Sequence, residues 1–593
     1  MNARTKVAAL RKLMKKHGVD AYYVPSADPH QSEYLPESWK HRAWLTGFSG
    51  SMGEVLIGAR KAGLWTDGRY WLQGSMQLPG SGIDLMKMGE PGVPDMPAWV
   101  VKQLKKGQSL GMDPAIVSVA AAGSFEQALA PYGIKVKFIT PNLVGRLWED
   151  RPGPCLAPMV EHPVKYAGEN VASKLKRLRE AMKEAGVKAH VVSALDQIAW
   201  LFNVRSQDIM YTPVVTAYAV ITDRSATLYV DPRKVGKGVA KALKGKAVIK
   251  GYEDVWDDLK ALGRKKLSVL IEPGATNRRV QDVLKGSHLR CGVSPVTFMK
   301  AVKNPKQIEG ITAAHVTDGV AMVKFLKWLE KAVPKGGVSE ISASDRLAAF
   351  RAEGKDFKDL SFDTISGYAA NGAIIHYTAD EQSNAKLKPQ GIYLIDSGGQ
   401  YPTGTTDITR TVALGKPTRR MTECFTRVLI GTIDCTTIPF PAGTTGQRNE
   451  MFARRALWQI GEDYAHGTGH GVGQYLGVHE GPHSLKNIPT PPLVEGNLLS
   501  IEPGHYEAGK FGIRIEHLAF VVKHPKFSTA QKTWYTFQAV TMCPIDRKLI
   551  DKKLMSREQI DWLNAYHQRV YKVLAPRLDK EHKIWLKKAT RAI

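Results

Sequence analysis

The sequence contains little cysteine. Its 593 residues include only five cysteines, and none of them forms a CxxC pair: Cys155, Cys291, Cys424, Cys435 and Cys543. A small disulfide-stapled scaffold is therefore excluded, and a structural zinc site built from four cysteines is disfavoured. We expect reduced thiols and a cytoplasmic protein.

Long uncharged apolar runs are also missing. No such run approaches about 18 residues, so we expect no membrane-spanning helix and no membrane partner. At the N-terminus, Val7, Leu10 and Met14 fall at helical spacing. Lys15-Lys16 then interrupts any apolar core of a signal peptide, which indicates that none is present.

Acidic residues are scarce relative to basic ones. Asp and Glu number 56 against 83 Lys and Arg, which gives a net charge of +27 and a pI near 9.6. A basic balance is typical of proteins that bind nucleic acid or anionic surfaces. Here the lysines are dispersed along the chain rather than gathered in one aromatic-interleaved patch. This favours a solvated basic surface, and we expect no nucleic-acid partner.

An internal repeat organises the first half of the chain. Residues 10–24 read LRKLMKKHGVDAYYV and residues 178–192 read LREAMKEAGVKAHVV, an offset of 168 (178 − 10). Each copy predicts a helix, a glycine stop and an apolar strand. Each continues to a Trp-Leu pair and to apolar strands that end in Asp, although the second copy lacks the TDGRY of the first.

The repeat predicts three domains. Two related α/β domains cover residues 1–157 and 158–305, and a third, different domain covers residues 306–593. The third domain opens on a helix predicted over residues 307–334, where apolar residues recur at helical spacing. The predicted fold class is therefore α/β (α+β), with a duplicated pair of domains before the last one.

Four carboxylates lie inside apolar strands of the third domain. Asp396 and Asp407 are 11 residues apart (407 − 396) on a predicted hairpin. Glu502 and Glu516 are 14 apart (516 − 502) on two strands joined through glycine-rich turns. A carboxylate inside a sheet is costly unless it is paired with a cation or binds a metal. Four of them in two matched hairpins favour a metal over four separate arginine partners.

A glycine-rich segment between these hairpins offers two histidines. AHGTGHGVG, residues 465–473, contains His466 and His470, and its spacing matches neither of the common phosphate-binding glycine motifs. Glycines let a backbone approach a ligand closely, so the segment favours a metal-binding or catalytic role.

The sequence HEGPH, residues 479–483, matches the zincin motif HExxH literally. That motif needs both histidines on one face of a continuous helix. Gly481-Pro482 breaks such a helix, so we reject a zincin site and keep His479 as a candidate active-site group.

The donor set indicates which metal the site prefers. Four carboxylates with one histidine make a hard, oxygen-rich site, which suits Mn(II), or Co(II) in vitro, better than zinc. The four negative charges are balanced by two divalent ions. A pair of ions about 3.5–4 Å apart can lower the pKa of a bridging water and hold a substrate oxygen.

The order Asp, Asp, His, Glu, Glu resembles the pita-bread metallopeptidases, the family of methionine aminopeptidase, prolidase and aminopeptidase P. Further motifs occur in order along the chain: DPHQSEY, WTDGRYWLQ, ANGAIIHY, IDSGGQY, GTTDITRT, HGTGHGVG, VHEGP and EPGHY. With TFQAVTMCPID and DWLNAYH they are similar to the long, three-domain, cytosolic type of Xaa-Pro aminopeptidase over essentially the whole chain. The resemblance implies two creatinase-like N-terminal domains, a pita-bread catalytic domain and a homodimer formed through the catalytic region.

The resemblance also implies roles for individual residues. It assigns two divalent metal ions, Mn(II) on the donor argument, to five ligands: Asp396, Asp407, His470, Glu502 and Glu516. Asp407 and Glu516 would bridge both ions. His376, His466 and His479 occupy the positions of the family's additional active-site histidines. Arg514 lies two residues before Glu516, so it is predicted to share a strand face with that ligand and to orient the carboxylates.

The implied reaction removes the N-terminal residue from peptides with proline at position two. A hydroxide that bridges the metals attacks the first carbonyl, and His479 helps to stabilise the oxyanion. Glu502 shuttles a proton toward the proline nitrogen, while His376 and apolar walls select the proline ring. Arg69, in the first domain, would reach the peptide; the competing interpretation is a surface salt bridge in a turn.

Three alternatives stay open at this point. A prolidase has the same site but is restricted to Xaa-Pro dipeptides, and the duplicated second domain argues against it. A methionine aminopeptidase would not need residues 1–305. A non-catalytic binding protein on the same fold has lost metal ligands, whereas all five are present here.

Overall fold

The computed structural model describes all 593 residues. The chain forms two compact units: Met1–Pro163 with Glu169–Thr297, and Val164–Gly168 with Phe298–Ile593. The first unit contains the predicted first domain and most of the predicted second domain, whose residues 164–168 and 298–305 belong to the second unit. The boundary at 157 stays a prediction. None of the helices is long and apolar enough to cross a membrane.

The first 157 residues form a six-stranded sheet flanked by helices. The elements are α1 (Ala3–Lys16), β1 (Ala21–Val24), α2 (His41–Thr46), β2 (Glu54–Gly58), β3 (Ala62–Thr66), α3 (Trp71–Gln77), β4 (Asp84–Lys87), α4 (Met96–Gln103), β5 (Ser109–Met112), α5 (Val119–Leu129), β6 (Lys135–Phe138) and α6 (Leu143–Leu147). The strand order is β4-β3-β2-β1-β5-β6, with β1 antiparallel to β2 and parallel to β5.

A second six-stranded sheet follows. Residues 158–304 contain β7 (Val160–Glu161), α7 (Val164–Ala167), α8 (Val171–Glu184), β8 (Ala189–Val192), α9 (Leu195–Leu201), β9 (Val204–Arg205), β10 (Ala217–Thr222), β11 (Ala226–Val230), α10 (Lys237–Leu243), β12 (Val248–Lys250), α11 (Val255–Arg264), β13 (Ser268–Ile271), α12 (Arg278–Val283), β14 (His288–Cys291) and α13 (Pro295–Ala301). Its strand order, β12-β11-β10-β8-β13-β14, reproduces that of the first sheet.

The repeat predicted from the sequence is confirmed at its offset. Helices α1 and α8 begin and end 168 residues apart (171 − 3; 184 − 16), and so do strands β1 and β8. Even the helix caps correspond, because the Asn2 and Asn170 side chains each accept a hydrogen bond from the backbone N–H three residues later. Each helix buries its apolar stripe, for example Leu10 in α1 and Leu178 in α8.

The remainder of the chain is built from antiparallel sheets and long helices. Its elements are α14 (Pro305–Ala332), α15 (Glu340–Ala352), β15 (Asp359–Leu360), β16 (Ile365–Tyr368), β17 (Ile392–Ser397), β18 (Gly399–Tyr401), β19 (Gly404–Thr405), β20 (Ile408–Ala413), α16 (Arg419–Thr437), β21 (Phe440–Pro441), α17 (Gly446–Trp458), β22 (Gly469–Gly471), β23 (Glu480–Leu485), β24 (Leu498–Ile501), β25 (Gly504–Glu507), β26 (Phe511–Arg514), β27 (His517–Lys523), β28 (Trp534–Ala539), α18 (Arg557–Leu574) and α19 (Lys580–Ala589). The predicted helix over residues 307–334 is α14, whose capping box pairs Asn304 with Gln307.

Two antiparallel strand pairs frame this unit. β17 pairs with β20, and β24 pairs with β27 within the six-stranded order β21-β28-β27-β24-β22-β23. Helix α16 packs its buried face against α18 through Val428, Ile433, Leu563 and Val570. Strand positions are therefore fixed by a core that reaches from residue 320 to the C-terminal helices.

The glycine-rich segment packs between strands. A Cβ on Gly469 would lie 1.9 Å from the Ser500 carbonyl oxygen of β24, and one on Gly471 would lie 2.2 Å from the Glu480 carbonyl oxygen of β23. We expected these glycines to let the backbone approach a ligand. Their close approach is instead to the two neighbouring strands, which places the intervening His470 at a fixed position in the sheet.

Replacing Gly469 with alanine should break this packing. We expect Gly469→Ala to lower the free energy of unfolding by about 3 kcal/mol, the upper end of overpacking costs, because a backbone carbonyl cannot move aside. Thermal unfolding checks this. The matched control is Gly481→Ala on β23, whose Cβ meets nothing within 4 Å. An unchanged melting temperature for Gly469→Ala would contradict the packing argument.

Candidate metal centre

The first two carboxylates lie at the ends of one strand pair. Asp396 is the penultimate residue of β17 and lies opposite Thr409 of β20, while Asp407 directly precedes β20. Both carboxylates are buried. The predicted hairpin arrangement therefore brings Asp396 and Asp407 to the same end of the pair.

The second two carboxylates flank a small hairpin. Glu502 follows β24 and Glu516 precedes β27, and the β25–β26 hairpin connects them. The prediction that Arg514 shares a strand face with Glu516 is wrong in its details. β26 ends at Arg514 and Glu516 lies in the connection to β27, because its backbone N–H turns to donate to the Thr409 carbonyl.

These acids and one histidine meet in a single buried cluster. Ligand atoms of Asp407, His470 and Glu516 all lie within 4.8 Å of one another. The His470 Nε2 atom is 3.5 Å from Asp407 Oδ2 and 3.2 Å from Glu502 Oε1. His470 Nδ1 lies 3.0 Å from the Gly471 carbonyl oxygen, to which it donates, and this orients Nε2 toward the carboxylates.

One guanidinium is buried with the four acids. Arg514 Nη2 donates to Asp396 Oδ2 at 2.7 Å, and Nη1 donates to the Tyr506 hydroxyl at 2.7 Å. Arg514 was predicted to orient the carboxylates of the site, and the one that it bonds to is Asp396. One positive charge against four acids leaves the cluster electrostatically unbalanced.

The imbalance appears in the pKa values. Burial and the neighbouring carboxylates raise the pKa of Asp407 and of Glu516 well above the usual range. Burial also raises the pKa of Asp396, although Arg514 offsets part of the effect. Burial opposes ionisation of Glu502 too, but its contact with His470 outweighs the burial and holds its pKa well below the usual range.

The chemistry of this cluster fits a metal. Two buried carboxylate oxygens, Asp396 Oδ1 and Glu516 Oε1, have no hydrogen-bond partner, which is costly unless a cation is bound. The donors are four carboxylates and the imidazole of His470, whose Nε2 atom faces two of them. Such a set suits hard divalent ions.

Two of the predicted histidines lie against the cluster. His466 Nε2 is 2.9 Å from the Tyr506 hydroxyl, which also receives the hydrogen bond from Arg514. Burial lowers the pKa of His466 to about 4, so its ring is neutral at physiological pH. The ring centroid of His479 lies 4.2 Å from that of His470.

His479 stands at the start of a well-anchored strand. Glu480, the first residue of β23, is paired with Lys300 at 3.0 Å and with Lys303, all three side chains being buried. HEGPH is strand rather than helix, as the rejection of a zincin site predicted, and His483 Nε2 donates to the Pro492 carbonyl at 3.2 Å.

The remaining two predicted site residues, His376 and Arg69, are not among the residues that form the cluster. His376 is half-buried in the loop after the 3-10 helix Ala369–Ala373. Arg69 belongs to the first unit, where it forms a bidentate pair with Asp67 at 2.7 and 2.9 Å and lies over the Tyr70 ring. Their roles stay predictions.

Sequence reasoning missed two polar groups in the cluster. Tyr506 joins His466 to Arg514, and Thr409 donates through its hydroxyl to Glu516 Oε2 at 2.9 Å. Closeness in sequence held a signal for Tyr506, since it lies eight residues before Arg514 on the same hairpin. Thr409 carried no such signal, because its partner is 107 residues away.

Metal binding should stabilise the protein in a pH-dependent way. Divalent metal added to chelated protein at about 100 times its Kd should raise the free energy of unfolding by about 2.7 kcal/mol. Because Asp407 and Glu516 have raised pKa values, the metal must displace protons from them, and the gain should shrink as the pH falls through those values. Thermal unfolding with and without chelator measures it.

Asp407→Asn should lose this stabilisation, while the exposed Asp257→Asn serves as the control. A metal-dependent rise in melting temperature of equal size in Asp407→Asn would refute the assignment of this cluster as the metal centre.

Comparisons with known families agree with the fold and the cluster. The profile for the Creatinase/Prolidase N-terminal domain matches residues 6–141, and a second profile of that description matches residues 150–307. Metallopeptidase family M24 matches residues 309–523, and the C-terminal region of peptidase M24 matches residues 533–593. The predicted fold class, two creatinase-like domains before a pita-bread domain, is confirmed.

Full-length relatives carry the same description. A probable Xaa-Pro aminopeptidase P from Paracoccidioides brasiliensis is 40% identical over 99% of both chains. Aminopeptidase P2 of Arabidopsis thaliana is 40% identical over 99% of this chain and 88% of its own. The crystal structure of X-prolyl aminopeptidase from Caenorhabditis elegans, described as a cytosolic enzyme with a di-nuclear active site, superposes with a TM-score of 0.97 at 34% identity over 100% of both chains. The chain therefore belongs to the aminopeptidase P family of M24 metallopeptidases, in the long form with two creatinase-type N-terminal domains.

Proposed function

We propose that this protein is a metal-dependent aminopeptidase that removes the N-terminal residue from peptides with proline at position two. The observation that carries the proposal is the buried cluster of four carboxylates and His470, in which two oxygens lack any partner. Non-catalytic relatives of this fold would not need to retain so costly an arrangement.

The five ligands are proposed as Asp396, Asp407, His470, Glu502 and Glu516, with Asp407 and Glu516 shared between two ions. When bound, two divalent ions supply Lewis acidity and an activated water for peptide hydrolysis. Arg514 holds Asp396 in place, and Thr409 does the same for Glu516.

The surrounding residues then handle protons and charge. Glu502 is ionised because its pKa is depressed, which is the state that accepts a proton destined for the proline nitrogen. His479, packed against His470, is proposed to donate to the oxyanion that develops on the first carbonyl. His466 would act through the Tyr506 hydroxyl, and His376 and Arg69 would contact the peptide.

The prolidase alternative is weaker. The chain matches aminopeptidase P relatives over 99% of its length, including both N-terminal domains. The binding-protein alternative would fit a cluster with missing donors, and none is missing here.

Three finer points belong to the proposal. Mn(II) is the proposed metal, because the donors are mainly hard oxygens. A homodimer through the catalytic region is supported by the exposed apolar side chains of α17: Met451, Phe452 and Trp458 are 57%, 37% and 47% exposed. A cytoplasmic location is supported by the five unpaired cysteines.

A peptide panel tests the activity directly. With Mn(II) added after chelation, we expect hydrolysis of Xaa-Pro-Yaa-Yaa and little hydrolysis of Xaa-Ala-Yaa-Yaa, measured by release of the first amino acid. Cleavage confined to Xaa-Pro dipeptides would favour prolidase instead. If the metal-loaded protein cleaved none of the peptides, the proposal that it is an enzyme would be rejected.

Removing His479 should slow the chemical step more than it weakens binding. Loss of one oxyanion donor lowers kcat by about 10²–10³-fold, so His479→Ala should show that decrease with little change in KM. Steady-state kinetics on Xaa-Pro-Yaa-Yaa measure both constants. His483→Gln, four residues along, is the matched control and should stay near wild type, because that ring bonds to the Pro492 carbonyl. A His479→Ala enzyme with unchanged kcat would remove His479 from the mechanism.

A further inference from the structure

The β25–β26 hairpin presents two chemically different faces. Tyr506 points toward Arg514 and His466. Its neighbours His505 and Glu507 alternate to the opposite side of the strand. There they contact helix α16 rather than the five-donor cluster.

A second set of metal-ligating atoms converges on that opposite face. Ligand atoms of Cys424, on α16, and of His505 and Glu507 lie within 4.8 Å of one another. A fourth donor is adjacent, since Glu462 Oε2 lies 3.8 Å from His505 Nδ1. We call these four residues the Cys424 cluster.

The Cys424 cluster contains a buried donor without a partner. His505 is 1% exposed, and its Nδ1 atom makes no hydrogen bond. The other ring nitrogen lies 3.4 Å from Glu507 Oε1. The Glu507 and Glu462 side chains are 17% and 33% exposed, so an ion can reach the cluster from solvent.

The charges of the Cys424 cluster are compatible with a bound cation. Arg420 donates to Glu507 at 2.6 Å and contacts Glu462, and the exposed Lys510 donates to Glu507 at 3.3 Å. Once a divalent ion replaces Lys510 at Glu507, that ion, Arg420, the two carboxylates and a deprotonated Cys424 sum to zero charge. The Lys510 and Arg420 side chains are 72% and 37% exposed.

We propose that Cys424, His505 and Glu507, completed by Glu462, bind a thiophilic divalent cation of the Zn²⁺ type, separately from the five-donor centre. Sulfur, imidazole and carboxylate are the donors that zinc prefers. On binding, the Cys424 thiol releases its proton to solvent and the thiolate bonds to the ion. Burial raises the pKa of this thiol to about 12, so it stays protonated until a cation displaces the proton.

Cobalt absorption tests the Cys424 cluster without interference from the five-donor centre, because that centre contains no sulfur. Co(II) bound to a thiolate has an intense charge-transfer band in the near ultraviolet, which oxygen and nitrogen donors do not produce. Chelated full-length protein titrated with Co(II) should develop this band, and Zn(II) should abolish it by competition. Cys424→Ser should lose the band, and Glu507→Gln should weaken the Co(II) affinity that produces it.

Cys435→Ser is the matched control, because Cys435 is a buried thiol on the same helix, bonded to the Asn449 carbonyl. Its band should equal that of wild type. No thiolate band in wild type would overturn the proposal and leave Arg420 and Lys510 as the cations that pair with the cluster. A band that persists in Cys424→Ser would assign it to another cysteine and overturn the proposal equally.

Discussion

Repulsion among buried carboxylates is the constraint on which the catalytic unit depends. Asp396, Asp407, Glu502 and Glu516 share a pocket with one guanidinium, from Arg514. Burial, reinforced by the neighbouring carboxylates, raises the pKa values of Asp396, Asp407 and Glu516. Left alone, such a pocket would gain protons or open to water. The acids therefore have to be held at strand ends by structure that does not yield, so that cations rather than protons balance them.

Arg410 provides much of that rigidity. Its guanidinium is buried, and its donors reach the carbonyls of Thr409, Glu516, Cys543 and Pro544 as well as the Tyr566 hydroxyl. Two of these carbonyls belong to segments that carry or contact the proposed metal ligands, and the other three groups belong to the C-terminal region. The C-terminal region contributes none of the proposed ligands. Through its hydrogen bonds with Arg410 it nevertheless fixes the separation between β20 and the start of β27.

The sequence predicted features of two kinds: local patterns, and groups whose burial costs free energy unless a partner compensates. The repeat followed from helical spacing in α1 and α8, and Asp396 was recognisable because a carboxylate in an apolar strand needs compensation. Thr409 and Arg410 escaped prediction, since both bond to Glu516, which lies 107 and 106 residues further along the chain. The orientation of Arg514 was misjudged for a related reason: the strand was read as continuous, whereas the chain turns after residue 514 so that Glu516 can bond to Thr409.

Donor chemistry separates the two cation sites. The five-donor centre has four carboxylates and no sulfur, whereas the Cys424 cluster combines sulfur, imidazole and carboxylate, so the two would select different ions from the same solution. They are linked through one strand, because Tyr506 lies between His505 and Glu507. An ion that fixes those two neighbours restrains the backbone on both sides of Tyr506. Its phenol hydroxyl meets both Arg514 and His466, so occupancy of the Cys424 cluster would reach the catalytic centre through the position of that hydroxyl rather than through a shared ligand.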